Sequence, residues 1–337
     1  MTTEVNQANT THAQIDAALN IQRKAAIVAG GAVDHAGRVR VVPMENFDMQ
    51  KTIFGSLEGT LQRTVMKDKL AKEPVWNDVA AKAIESSYMD IVSTAPEPDV
   101  NPDLISFMHK ECDFSMEHAD GTFLEHLLFC HNYAARHYAD HSPNVALLHS
   151  IMGTATNTFA MPVGKFEALK ERLTDFEALQ IEAFPSMLRL FYDQALLTEL
   201  TANMHRIDEL QEVHCFRVMD NKRIVLNADD FWHQLNYHLM HFVDFMPSAN
   251  WWMRRNDPLM LMFRQLSTFL DQAGQRRAHV DVVFPAIPKA PLGEEPTIVG
   301  RLSSALPASL TLKLAQKTIR GYSDKIGHNL GYRLVWG

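Results

Sequence analysis

Along most of this chain apolar residues recur three and four positions apart, the period of a helix that buries one face. Ile53, Leu57, Leu61 and Val65 show it plainly, and the pattern predicts helices over 12–26, 46–72 and 76–93. Residues 1–12 are polar and read as a flexible tail. Between the first two helices, AIVAGGAVDHAGRVRVVP couples a Gly-Gly pair to a β-branched run, which suits a short hairpin or an irregular crossover. TAPEPDVNPD (94–103) holds three prolines in ten residues and reads as a linker. The functional core is expected just after it.

The next helix has a strong start signal. Thr122-Phe-Leu-Glu125 is a capping box, opening a helix through FLEHLLFCHNYAARHY. Ser142 and Pro143 then suit the N-cap and first position of a short buried helix, NVALLHSIM, with Gly153 placed to end it. Further helices are expected over 164–180 and 184–208, Pro185 being tolerable in the first turn of the second. The period changes at CFRVMDNKRIVLN, where two β-rich arms flank Asp220-Asn221-Lys222 and predict one small β-hairpin near 215–226. Asp229 or Asp230 starts a helix whose apolar stripe is Phe231, Leu235, Leu239, Phe242 and Met246. Helices over 258–273 and near 303–320 flank a proline-rich loop. The class is mainly α.

Composition narrows the functions. A formal net charge of −8 leaves no basic excess to neutralise phosphates, so nucleic acid is not an expected partner. The first residues carry no basic and apolar leader, and no run of about eighteen apolar residues would span a membrane. The three cysteines, Cys112, Cys130 and Cys215, share no CxxC spacing, so a reducing, cytoplasmic setting is expected. The 17 methionines suit an adaptable core or pocket, and the aromatic, methionine-rich C-terminal third allows a homo-oligomer. Trp251 and Trp252 beside Arg254 and Arg255 read as core packing or an interface patch.

Candidate chemistry begins with histidine. Six of the 16 (His118, His126, His131, His137, His141, His149) fall within 32 residues. His131, His137 and His141 read as solvent-face residues. His126, one turn inside the capped helix, and His149, after the apolar run VALL, read as buried. A buried imidazole needs a partner for each ring nitrogen. Two from neighbouring helices meet that need by sharing a metal, or by ordinary hydrogen bonds.

The order of these parts resembles the HD-domain superfamily. Its short helix, A-A-L-L-H-D, corresponds to Val145-Ala-Leu-Leu-His149-Ser150, its leading ligand to His126, and its late ligand to His241 or Asp244 in YHLMHFVDF. More closely, H-x3-T-x3-H followed by L-x-H-S-x2-G-T resembles a bacterial HD-related family of unassigned function. The matching positions are His118, Thr122, His126, Leu147, His149, Ser150, Gly153 and Thr154. The resemblance spans 118–246 and implies an N-terminal helical region (13–103), an HD-like core (104–247) and a C-terminal extension (248–337) packing on that core. It also implies a divalent transition metal, Fe, Mn or Zn, and a small-molecule substrate.

One departure changes the expectation. The superfamily's defining aspartate is Ser150 here, and a hydroxyl is a poor metal ligand. A mononuclear site is therefore expected rather than a dinuclear one, with His126, His149 and His241 or Asp244 as ligands. His118 would transfer protons, and Ser150 and Thr154 would touch substrate or orient ligands. Such an ion could activate water for hydrolysis, the first expectation, or bind O₂ as an iron-dependent oxygenase. A metal-free binding or scaffold protein is the alternative from another class. The hydroxyl-rich run Gly153–Thr158 could line a pocket or simply end a helix.

Overall fold

The computed structural model describes residue 60 and residues 99–111, 117–118, 121–138, 141–155, 161, 163–245, 258–280 and 306–337. The helices expected over 12–26, 46–72 and 76–93 lie outside this set, apart from helical Thr60, and so do Thr156–Thr158 and Trp251–Arg255. The described residues are mainly helical, with two small antiparallel sheets, one of two strands and one of three. In chain order they form α1 (Pro102–Glu111), β1 (Glu117–His118), β2 (Gly121–Thr122), α2 (Phe123–His137), α3 (Asn144–Leu148), α4 (Phe166–Lys170), α5 (Asp175–Asp193) and α6 (Ala195–Ala202). There follow β3 (Leu210–Phe216), β4 (Arg223–Asn227), α7 (Ala228–Phe245), α8 (Pro258–Gln272), α9 (Ala308–Ile326) and β5 (Arg333–Trp336). No described helix is long and apolar enough to cross a membrane.

The central helix, α5, starts by a reciprocal cap. The Thr174 hydroxyl accepts the Glu177 amide, and the Glu177 carboxylate accepts the Thr174 amide at 2.7 Å. This cap corrects the expected break between two helices at 180–184. Pro185 lies in the middle of α5, where it deprives the Ile181 carbonyl of its helical partner. Burial outweighs that loss: Ile181, Phe184, Met187, Leu188, Leu190 and Phe191 are all in the core, each contributing roughly 1.5–3 kcal/mol. The helix ends at Gln194, which takes a left-handed φ of 65°.

Other boundaries also moved. The 94–103 linker ends earlier than its prolines suggest, because Asn101 Oδ1 accepts the Asp103 amide and Pro102 opens α1. At α3 the N-cap is Pro143 rather than Ser142. The Ser142 hydroxyl still accepts the Asn144 amide at 3.3 Å, while its own proton goes to Glu177. Gly153 ends the turn after α3 with φ 127°, a backbone that disfavours any side chain.

The hairpin expected near 215–226 is present as β3 and β4, turning through Asn221 at φ 58°. It gains a third strand that was not foreseen: β5 pairs antiparallel with β3, giving the order β4-β3-β5. Asn221 also ties the turn to the chain end, donating to the Gly327 carbonyl and accepting the Asn329 amide.

Helix α7 departs most from its pattern. Phe231, Leu235, Leu239 and Phe242 are buried as the stripe requires, but His233, Gln234, Asn236, His238 and His241 are buried too. Such polar residues survive burial only with partners. Asn236 has four: its oxygen accepts the Arg277 and Ala278 amides, and its nitrogen donates to the Trp232 and Gln275 carbonyls. Asn236→Leu orphans two backbone amides and is expected to cost about 3 kcal/mol. Urea unfolding with a loss under about 0.5 kcal/mol would refute this pinning of residues 275–280 to α7.

Candidate metal centre

Helix α2 packs on α3 and α7, and both pack on α5. One side chain from each meets at their junction. His126 sits on α2, His149 follows the last residue of α3, and His241 lies near the end of α7. Their ring centroids are 4.9 Å (His126–His149), 4.5 Å (His149–His241) and 5.4 Å (His126–His241) apart. His126, His149 and His241 are 5%, 0% and 6% exposed. Phe184 of α5 closes one side, 4.8 Å from the His149 ring and 5.3 Å from that of His241.

The hydrogen bonds assign tautomers. His149 Nδ1 lies 2.6 Å from the Ala146 carbonyl, which can only accept, so Nδ1 carries the proton and Nε2 presents a lone pair. His126 Nε2, 3.0 Å away, then donates to it. This leaves His126 Nδ1 to accept from the Cys130 thiol, with Sγ at 3.9 Å. Cys130 stands one turn after His126 on the same helix face, so the i,i+4 spacing puts it there. Its ligand value was readable in the sequence through that spacing, yet the histidines alone had suggested the centre.

His126, Cys130 and His149 each offer a ligand atom within 4.8 Å of the others, and this buried group could hold a metal ion. The test of fit is the His126–His149 pair. Two nitrogens on one tetrahedral ion stand about 3.3 Å apart, so a separation of 3.0 Å needs only a small expansion. His149 is already held in the ligand tautomer by Ala146, the arrangement by which a carbonyl orients a metal-binding imidazole.

The remaining expected site residues are distributed as follows. His118 lies in β1, whose partner strand β2 runs directly into α2; its side chain, like those of Thr122, Glu125 and Asp244, lies outside the described set. Asp244 follows His241 by one turn of α7. Ser150 is buried, and its carbonyl accepts the Gly153 amide at 3.1 Å. Thr154 is half-buried, and its carbonyl accepts from the Arg189 guanidinium.

The solvent-face reading of His131 and His137 is overturned. Helix α2 is covered on several sides, and both rings are buried. His131 Nδ1 bonds Asn132, and burial lowers its pKa. His137 Nδ1 donates to the His279 carbonyl at 2.8 Å, and its ring stacks on Tyr133. His141 is half-buried, 4.0 Å from His233. That neighbour belongs to a polar cluster with no single motif in the sequence. Tyr138 Oη lies 2.5 Å from His233 Nδ1, while Arg277 donates to His233 Nε2 at 3.0 Å and pairs with Asp229.

Comparison with models of known families, with curated proteins and with solved structures found no match.

Proposed function

We propose that the chain is a metal-dependent enzyme on an HD-like helical scaffold, acting on a small polar molecule at a mononuclear centre held by His126, His149 and His241. The observation that carries this reading is the convergence of three buried imidazoles from separate helical elements, with Cys130 beside them. Asp244 is the alternative late ligand, His118 the proton carrier, and Ser150 and Thr154 the neighbours of ligand or substrate. The bound ion would supply Lewis-acid activation of water, which makes a hydrolase the first reading and an iron-dependent oxygenase its alternative. A thiol in the set favours Zn²⁺ or Fe²⁺ over Mn²⁺.

A second reading has its own support. The direct bond between the two Nε2 atoms satisfies both rings without an ion, as a metal-free binding or scaffold protein requires. Elemental analysis of untagged protein separates the two. About one equivalent of a transition metal supports the enzyme; under about a tenth, with no stabilisation by added Fe²⁺, Mn²⁺ or Zn²⁺, sinks it. Oxygen uptake by the Fe²⁺ form then divides oxygenation from hydrolysis, which consumes none.

Cys130 either binds the ion or only holds His126 Nδ1. The Co²⁺-loaded protein is expected to show a thiolate-to-cobalt charge-transfer band that Cys130→Ser abolishes. If the band is missing from the unaltered protein while Co²⁺ is bound, Cys130 is not a ligand.

A further inference from the structure

Arg189 is the largest fully buried side chain among the described residues. It projects from α5 beneath α9, its guanidinium carbon 5.1 Å from the centre of the Tyr322 ring. Nε and Nη2 both donate to the Thr154 carbonyl, at 3.3 and 3.0 Å. No described carboxylate pairs with it, and Nη1 has no hydrogen-bond partner.

Partly buried arginines elsewhere are treated differently. Arg217 is paired with Glu182 and Asp220, Arg277 with Asp229, and Arg276 with Asp271. Asp193, one turn along from Arg189, is committed to Arg320. The Thr154 carbonyl and the Tyr322 hydroxyl, both neutral, are poor compensation for a guanidinium withdrawn from water, and such burial is strongly unfavourable without a counter-charge. Burial pulls its pKa down to about 10, still far above neutrality, so the group stays charged.

Two more polar atoms on the α9 side are buried and without a described partner: Ser323 Oγ, next to Tyr322, and His328 Nδ1. His328 follows α9, and its amide donates to the Ser323 carbonyl. Its Nε2 donates to the Phe216 carbonyl, so the neutral ring leaves Nδ1 as an acceptor. Burial chiefly disfavours protonation of this ring, and the Arg189 charge adds to it. A cation, a hydroxyl and an acceptor thus stand in one interior region, each with capacity unused.

We propose that Arg189 anchors a small oxyanion group, phosphate or carboxylate, through Nη1, with Ser323 and His328 as neighbouring hydrogen-bonding groups. The site shares no proposed metal ligand with the imidazole cluster, though it touches Thr154. It lies against the carbonyl of Thr154, five residues after His149, so a bound oxyanion also braces the segment leading away from that histidine. An anion supplies the missing counter-charge, and a ligand oxygen bearing a proton could donate to His328.

The test uses the full chain in EDTA, so that loss of metal cannot imitate loss of the anion. Inorganic phosphate and acetate are each titrated against chloride at matched ionic strength, reading Tm. Because Nη1 is shut off from solvent, each titration is repeated on protein refolded from urea in the same anion. A saturable rise in Tm with phosphate or acetate, absent with chloride, is expected, and which of the two acts identifies the oxyanion. Arg189→Lys should weaken that response about tenfold or more, since a point charge replaces the planar fork. Arg189→Met should abolish it while matching or exceeding the parent Tm in chloride. Native mass spectrometry of the purified protein reads any oxyanion already bound. A parent Tm unmoved by both anions, with none found by mass, would overturn the proposal, and so would an undiminished response in Arg189→Lys. Should Arg189→Met not fold, the parent titration and the lysine variant decide alone.

Discussion

His149→Ala is expected to lower bound transition metal from about one equivalent to below about a tenth. His149 is the fixed member of the centre. It is wholly buried, and its Nδ1–H is spent on Ala146, so Nε2 is aimed before any ion arrives. Removing it deletes a pre-oriented ligand and leaves His126 Nε2 without its acceptor. The variant also loses packing against Phe184, and a cavity of that kind costs about 2–4 kcal/mol in either metal state. Stability alone therefore does not report the ion. The deciding quantity is the difference in unfolding free energy between protein with excess Zn²⁺ and protein in EDTA. A site at a thousand times its Kd contributes about 4 kcal/mol. The parent should show a gain of that order and His149→Ala almost none. Equal gains in both proteins would place any bound metal elsewhere.

The second large effect is loss of stability in mild acid. Burial holds His233, His238 and His328 at about 4, against an ordinary value near 6.5. For His238 the cause is plain: it is fully buried, and its ring is stacked 3.9 Å from Phe184. Two carbonyls, of Gln234 and Phe184, favour the protonated ring but do not offset burial. The sign follows from proton counts. Between pH 6.5 and 4 the unfolded chain holds protons on these rings and the folded chain does not, so stability falls as pH falls. The slope is about 1.4 kcal/mol per pH unit for each ring, or about 4 for three together. Urea unfolding in EDTA at pH 7, 6 and 5 measures it, the chelator removing any contribution from metal release. His238→Gln should flatten the slope by one ring's share. A stability that does not change between pH 7 and pH 5 would refute the assignment.

These expectations rest on different amounts of sequence information. His126 and His149 were legible because each carried a local sign of burial: one a turn after a helix start signal, the other after an apolar run. Cys130 was missed, although its i,i+4 spacing from His126 was there to be read. His131 and His137 misled, since a period of 3.6 says which residues share a face but not how many faces are covered. Pro185 misled for a related reason, as the apolar content around it could retain a proline within α5.

By itself the sequence determined the helical class, the β3–β4 turn around Asn221 and the burial of His126 and His149. Those features depend on neighbours within a few residues, through periodicity, capping and turn chemistry. The sequence left His241 open against Asp244; only the tertiary structure brought the His241 ring to 5.4 Å from that of His126, added β5 to the sheet and sealed Arg189 without a counter-charge. Those contacts join residues from about 90 to more than 120 positions apart, brought together by packing rather than by neighbours in the chain.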